Sequence, residues 1–318
     1  MTETPRYPRA ILVSCEIPWD ENETLLEDVF RREVRSVLEH FTHLYVFGTA
    51  GEGHAVDTDR FRQIVDVFFD ETLGRHPEKA VYPMVGVIGL STANVVERLA
   101  YAFEVGFRVF QISLPSWGVL NDRELMRFFV DVCGTFPEAK FLHYNLPRAG
   151  RVLTGSDYAR ILEQVPNLVA TKNTGGGLAK ATDLLTQAPE LQHFLGEEGY
   201  GHGALIGECS LLSSMGPMTP HKAWELFRAG IDRDVGRIVA LQHGFHQLVT
   251  TVLGPLLIDR RIDGAYDKII VRLGGLEEMP LRLLSPYQGF SEEEYQSCRD
   301  RFHHHFPDWV ASPPKERL

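Results

Sequence analysis

Residues 140–173, KFLHYNLPRAGRVLTGSDYARILEQVPNLVATKN, open on one short apolar run at 140–143 and close on another at 167–171. Runs of this length, rich in apolar, β-branched and aromatic residues, read as strands buried on both faces. Six more stand at 10–14, 43–47, 80–87, 108–113, 191–195 and 210–213. Between them the apolar positions fall three or four apart, as in Leu26, Phe30, Val34, Val37 and Leu38, or Phe61, Ile64, Val65, Phe68 and Phe69, which is helical spacing. Strand and helix therefore alternate about eight times, and a crossover helix between strands makes them parallel. Eight such units within about 230 residues predict a closed (β/α)8 barrel rather than an open sheet. A doubly wound dinucleotide fold needs glycines after its first strand, and Ser14-Cys-Glu-Ile-Pro-Trp19 has none.

Beyond Pro220 the pattern is helix only, over 223–229, 235–253, 263–273 and 292–302. The last three are expected to form a helical appendage, dividing the chain into a barrel at 1–231 and a C-terminal helical extension at 232–318. The tail 311–318, with two prolines and several charges, is expected to fray or lie on the surface.

Composition narrows the function. Of 318 residues, 44 % are apolar and 24 % charged, an ordinary globular mixture with ample material for a core. The net charge of −11 and the scattered basic residues disfavour nucleic acid and anionic lipid as partners. Cys15, Cys133, Cys209 and Cys298 form no CxxC pair or zinc spacing, as expected of reduced thiols. The start is polar and no 18-residue apolar stretch occurs, so a cytoplasmic protein without membrane contact is expected. His303, His304 and His305 point about 100° apart on a helix and share no face, so no metal is expected there.

In a barrel, functional groups project from strand ends and the loops that follow. Lysine is scarce, seven in all, yet Lys172 ends the run 167–171. An ammonium at the end of a buried strand is desolvated, which lowers its pKa and frees an amine to attack a carbonyl. A lysine snorkelling from the rim to solvent fits the position equally well. Tyr144 ends the preceding strand, within reach of the same substrate, and a phenol there can shuttle protons. Gly48-Thr-Ala-Gly-Glu-Gly53 follows the second strand and can turn backbone amides toward a carboxylate; Asn173-Thr-Gly-Gly-Gly177 could cradle a phosphate. Glu16, His54, Glu197, Glu198 and Ser213 follow other strands and could face the mouth or serve as helix caps.

Together these motifs resemble the N-acetylneuraminate lyase and dihydrodipicolinate synthase family, the pyruvate-dependent Schiff-base lyases of (β/α)8 fold. Gly48-Thr-Ala-Gly-Glu52 is similar to its G-[TS]-T-G-E, Tyr144-Asn-Leu-Pro147 with Arg148 and Gly150 to its Y-N-x-P and R-T-G, and Thr171-Lys-Asn-Thr-Gly175 to its lysine strand. The resemblance implies an imine between Lys172 and a 2-oxo acid, proton relay by Tyr144, and a carboxylate held by Gly48, Thr49, Ala50 and Gly51. It implies no metal or cofactor, a small-molecule 2-oxo acid as partner, and a homodimer or homotetramer.

The departures bear on the substrate. Ala50 replaces a second threonine, removing a hydroxyl hydrogen bond worth about 0.5–1.5 kcal/mol. Leu114-Pro-Ser-Trp117 stands where the synthase branch has Pro-Tyr-Tyr, whose second tyrosine crosses a dimer interface; an indole cannot relay a proton there. Lysine biosynthesis is therefore disfavoured, and an aldolase or dehydratase on a sugar-acid-like or aromatic 2-oxo acid is expected. Arg148 could grip a second carboxylate or form a surface ion pair. Trp117, Ser213 and Glu197 complete the expected substrate contacts. Two other readings stand beside the lyase: a non-catalytic 2-oxo acid sensor that kept the fold, and a phosphosugar barrel, which the adjacent Glu197 and Glu198 disfavour.

Overall fold

The computed structural model describes residues 6–76, 80–175 and 177–310; the expected frayed tail at 311–318 lies outside them. Eight parallel strands close into one barrel in chain order: β1 Ile11–Ser14, β2 His43–Val46, β3 Tyr82–Val87, β4 Val109–Ile112, β5 Lys140–Asn145, β6 Leu168–Asn173, β7 Gln192–Gly196 and β8 Ser210–Leu212. Each is followed by a helix, α1 Glu27–His40, α2 Thr58–Phe69, α3 Thr92–Val105, α4 Asp122–Thr135, α5 Gly155–Leu162, α6 Gly177–Gln187, α7 Glu197–Ile206 and α8 Pro220–Asp232. All eight expected strands are present within two residues at most ends. β5 and β6 run past their apolar runs to Asn145 and Asn173, because the polar residues at their ends still pair: Tyr144 stands opposite Lys172 and Asn145 opposite Asn173.

Alternation along each strand builds two cores. Leu12, Tyr45, Met84, Leu142, Ala170, Phe194 and Leu212 fill the barrel, while Val13, Leu44, Val46, Val85, Phe110 and Leu211 meet the helices. Side chains that cap their helices fix where several begin: Asp57, Ser91, Asn121 and Thr154 each accept a hydrogen bond from the first turn of α2, α3, α4 and α5.

The C-terminal helices are α9 Val235–Leu248, α10 Asp263–Leu273 and α11 Glu292–His305. Where one helix is expected over 235–253, α9 gives way to a π turn at Val249–Leu253 and a 3-10 segment at Gly254–Asp259. Two local causes coincide: Thr250 Oγ1 donates back to the carbonyls of His246 and Gln247, and Pro255 has no N–H to continue the helix. α10 lies against the loop after β2. A Cβ at Gly264 would come within 2.8 Å of the Ala50 carbonyl, and the buried Lys268 Nζ donates to Glu52 Oε1 at 2.8 Å. Among the described residues no helix is long and apolar enough to cross a membrane.

Candidate active site

Lys172, the penultimate residue of β6, points inward and is only 2 % exposed. Its Nζ lies 3.9 Å from the ring centre of Tyr144 and 4.0 Å from that of Tyr45, and it donates to the Tyr45 hydroxyl at 2.7 Å. No carboxylate lies within salt-bridge distance of it among the described residues. Burial pushes its pKa down to about 7, against an upward pull from Asp267, Glu16 and Asp263. Near neutrality the side chain is divided between ammonium and nucleophilic amine, where an exposed lysine is almost wholly ammonium.

Tyr144, buried on β5, places its hydroxyl 3.4 Å from Thr49 Oγ1. Burial raises the phenol to about 12 and the Thr49 hydroxyl partly offsets this, so it stays protonated and can donate. Thr49 belongs to the turn after β2, which Phe47 and Glu52 enter and leave with positive φ of 64° and 53°. Among the described residues the N–H groups of Thr49, Ala50 and Gly51 donate to no backbone or side-chain acceptor, which suits a bound carboxylate. Gly48 and Gly51 are required by crowding: a Cβ would come within 2.6 Å of Tyr45 Cε2 at position 48 and within 2.9 Å of the Phe47 nitrogen at position 51. Glu52 braces the turn, accepting from Trp19 Nε1 and Lys268 Nζ on one oxygen and from the Leu284 N–H on the other.

Acids gather over the amine. Glu16, 1 % exposed, is raised to about 7 by burial, with Ser14 and Lys268 opposing the rise. Asp267 of α10, half-buried, is raised well above the carboxylate range by burial, then by Glu16 and Asp263. Arg148 stands at the rim in a bidentate pair with Asp263, at 2.8 and 2.9 Å. Its guanidinium thus already holds one carboxylate, the ion-pair alternative weighed from the sequence.

Glu197 begins α7 and accepts from Ser213 Oγ at 2.9 Å and the Met215 N–H at 3.0 Å. It lines a cavity of about 260 Å³ with Glu198, Asn173, Gly196, Leu212 and Gln242, beside the end of β6. Ser213 is therefore engaged with Glu197 rather than facing Lys172. Trp117 is 91 % exposed on the loop after β4 and does not join the group around Lys172. His54 packs edge-on against Tyr287, its Nε2 without a partner among the described residues.

Tyr45, Asp267 and Asp263 were not foreseen. Tyr45 lies inside an apolar run and reads as core. Asp263 and Asp267 lie on a helix remote in sequence from every strand end, and only the packing of α10 on the turn after β2 brings them over the barrel.

The model of the dihydrodipicolinate synthetase family matches residues 8–301. A 4-hydroxy-tetrahydrodipicolinate synthase of Thermus thermophilus is 29 % identical over 164 residues, so the alignment spans about half of each protein, 51 % of this chain and 53 % of the relative. N-acetylneuraminate lyase 2 of Escherichia coli is 21 % identical over 77 % of this chain and 79 % of its own length. In fold, the chain is similar to a prophage protein of the dihydrodipicolinic acid synthase family from E. coli K12, solved in complex with pyruvate, with a TM-score of 0.80, 16 % identity and coverage of 93 % and 98 % of the two chains. With the family model spanning nearly all of the barrel and the C-terminal helices, the chain belongs to the dihydrodipicolinate synthetase family.

Proposed function

We propose that this protein is a lyase that makes or breaks a bond of a 2-oxo acid through an imine at Lys172. The observation that carries the reading is a buried amine near half-ionisation, beside a phenol–threonine pair and a turn with free amides. The substrate carboxylate would sit on the N–H groups of Thr49, Ala50 and Gly51, placing C2 of the 2-oxo acid near Nζ. Attack forms the C–N bond and moves the carbonyl π pair onto oxygen, which Tyr144 protonates; loss of water then leaves the iminium. The iminium draws electrons from the neighbouring carbon, so an enamine can form or a bond β to nitrogen can break. Thr49 holds the Tyr144 hydroxyl in place for both proton transfers.

The far end of the substrate is proposed to be hydroxylated rather than anionic. Arg148 is already paired with Asp263, and the adjoining cavity offers the carboxylates of Glu197 and Glu198, which accept from hydroxyls and repel a second carboxylate. This favours aldol cleavage, condensation or dehydration of a sugar-acid-like 2-oxo acid. The extension at 232–318 is proposed to be part of the working enzyme, since it supplies Asp267 and anchors Glu52. The exposed Trp117 is proposed to meet a second copy of the chain in a homo-oligomer. Incubation with pyruvate and borohydride, followed by intact mass and peptide mapping, tests the imine. An adduct at Lys172 is expected, and its absence with a panel of 2-oxo acids at saturation would sink the reading.

A further inference from the structure

Beneath Lys172 the barrel holds a second phenol for which the mechanism above has no use. Tyr45 is buried on the inward face of β2, and its hydroxyl accepts from Lys172 Nζ at 2.7 Å. Position 48 is left without a side chain where that contact needs the space: a Cβ there would lie 2.6 Å from Tyr45 Cε2 and 3.2 Å from Nζ. Ser14 stands opposite Tyr45 in the β1–β2 register, and Glu16 follows two residues on along the same inward line. Glu16 Oε2 is buried and has no hydrogen-bond partner among the described residues. A merely structural carboxylate left so would cost about 1–3 kcal/mol for nothing.

Imine formation makes two opposed demands at once. The nitrogen must shed a proton as it bonds to carbon, and the former carbonyl oxygen must gain one. Tyr144, paired with Thr49, can serve the oxygen. We propose that Tyr45 is a further catalytic residue, the phenol that draws the proton from the Lys172 nitrogen, with Glu16 the buried carboxylate that receives it by way of Ser14. The inference rests on the Schiff-base reading of Lys172.

The proton count closes. Attack leaves the nitrogen with two hydrogens and a positive charge; one of those protons passes to Tyr45 Oη as the phenol's own proton moves through Ser14 to ionised Glu16. The oxygen receives two protons through Tyr144, which solvent at the mouth restores, and leaves as water as the nitrogen lone pair closes the C=N bond. The product is an iminium with one N–H and a protonated Glu16, and the latter proton returns when the imine is hydrolysed. Nothing is oxidised or reduced. Burial raises both Tyr45 and Glu16 above their ordinary values, and Ser14 opposes that rise at each of them. The other charged groups bearing on this path are Asp267 and Asp263 toward Lys172, and Glu52, Lys268 and Glu33 toward Glu16.

The experiment is quenched-flow borohydride trapping of the full chain with pyruvate, from pH 6 to 9, on wild type, Tyr45→Phe and Glu16→Gln. Tyr45→Phe keeps the ring and its packing and removes only the relay oxygen. Its adduct is expected to map to Lys172 as in wild type but to form about 10²-fold more slowly. Glu16→Gln keeps the shape of Glu16; loss of its charge alone moves the rise of the rate with pH to the acid side, whereas loss of the relay is expected also to lower the plateau rate at pH 9, where Lys172 is already neutral. A structural role would lower the folded fraction and leave the plateau rate of the remaining folded protein unchanged; that result in both variants would overturn the inference while the Schiff-base reading stood. A wild type that forms no adduct overturns both. Should Tyr45→Phe not fold, the Glu16→Gln plateau at pH 9 decides alone, and an unaltered plateau counts against the relay.

Discussion

Replacing Lys172 by methionine is expected to stabilise the protein while abolishing its chemistry. Methionine fills a similar volume without a charge, and the site imposes a cost on the lysine that can be worked out. Its folded-state pKa of about 7 lies about 3.5 units below the ordinary lysine value of 10.5. Between those values the unfolded chain holds a proton that the folded chain lacks, so wild-type stability rises with pH over that window. At about 1.4 kcal/mol per unit, the buried lysine costs about 4 kcal/mol at pH 7 and about 2 kcal/mol at pH 9, vanishing above about 10.5. These are upper values, because Lys172→Met also forfeits the hydrogen bond to Tyr45, worth about 1 kcal/mol. Urea denaturation of both proteins at pH 7, 8 and 9 measures the gap. A variant no more stable than wild type at pH 7, or a gap that does not shrink with rising pH, would refute the claim that burial governs this amine.

Three other perturbations follow from particular contacts. Lys268→Met leaves the Glu52 carboxylate buried with only the Trp19 and Leu284 N–H groups, and is expected to cost about 3–5 kcal/mol by urea denaturation, partly recovered on adding Glu52→Gln. Arg35, with Arg31 and Arg75, holds the Glu71 carboxyl down at about 2, so its contribution to stability is full above about 4.5 and is lost as pH falls toward 2. Glu71→Gln should accordingly flatten the acid limb of the stability curve and cost about 1–3 kcal/mol at pH 7, the partly exposed arginines softening the loss. Gly48→Ala forces a methyl against Tyr45 and Lys172 and should cost about 1–3 kcal/mol while slowing borohydride trapping at Lys172; an unchanged trapping rate would show that the amine tolerates displacement.

Strand positions and closure were legible because each strand buries both faces and each helix only one, so the alternation of runs survives in one chain's sequence. The pairing of Tyr144 with Lys172 was legible for a related reason: both are polar residues at the ends of apolar runs in successive strands, and parallel pairing sets them side by side. Arg148 was legible as a cation at the rim but not as the partner of Asp263, because that contact spans 115 residues and depends on where α10 docks. Tyr45 was hidden by its own setting, since an aromatic residue in a buried strand looks the same whether its hydroxyl meets a catalytic amine or a structural acceptor. The helix expected over 235–253 is present over its full length, but its last turn widens from α to π around Thr250 and ahead of Pro255, where local backbone chemistry outweighs apolar periodicity.

The acids around Lys172 raise a question of balance, since three carboxyl groups within electrostatic reach should hold the amine charged. They do so only in part. Glu16 is raised to about 7 and Asp267 well above the usual carboxylate range, each chiefly by burial, so both resist ionisation beside the amine. Lys172, Glu16 and Asp267 therefore exchange protons as a group rather than titrating singly. Asp267→Asn removes the largest upward pull on Lys172 and also relieves Glu16 of a repelling neighbour. With burial left less opposed, the amine should lose its proton at lower pH, and the rise of the borohydride-trapping rate with pH should move to the acid side. A midpoint unmoved, or moved to higher pH, would mean that Asp267 acts on the amine by contact or position and not by charge.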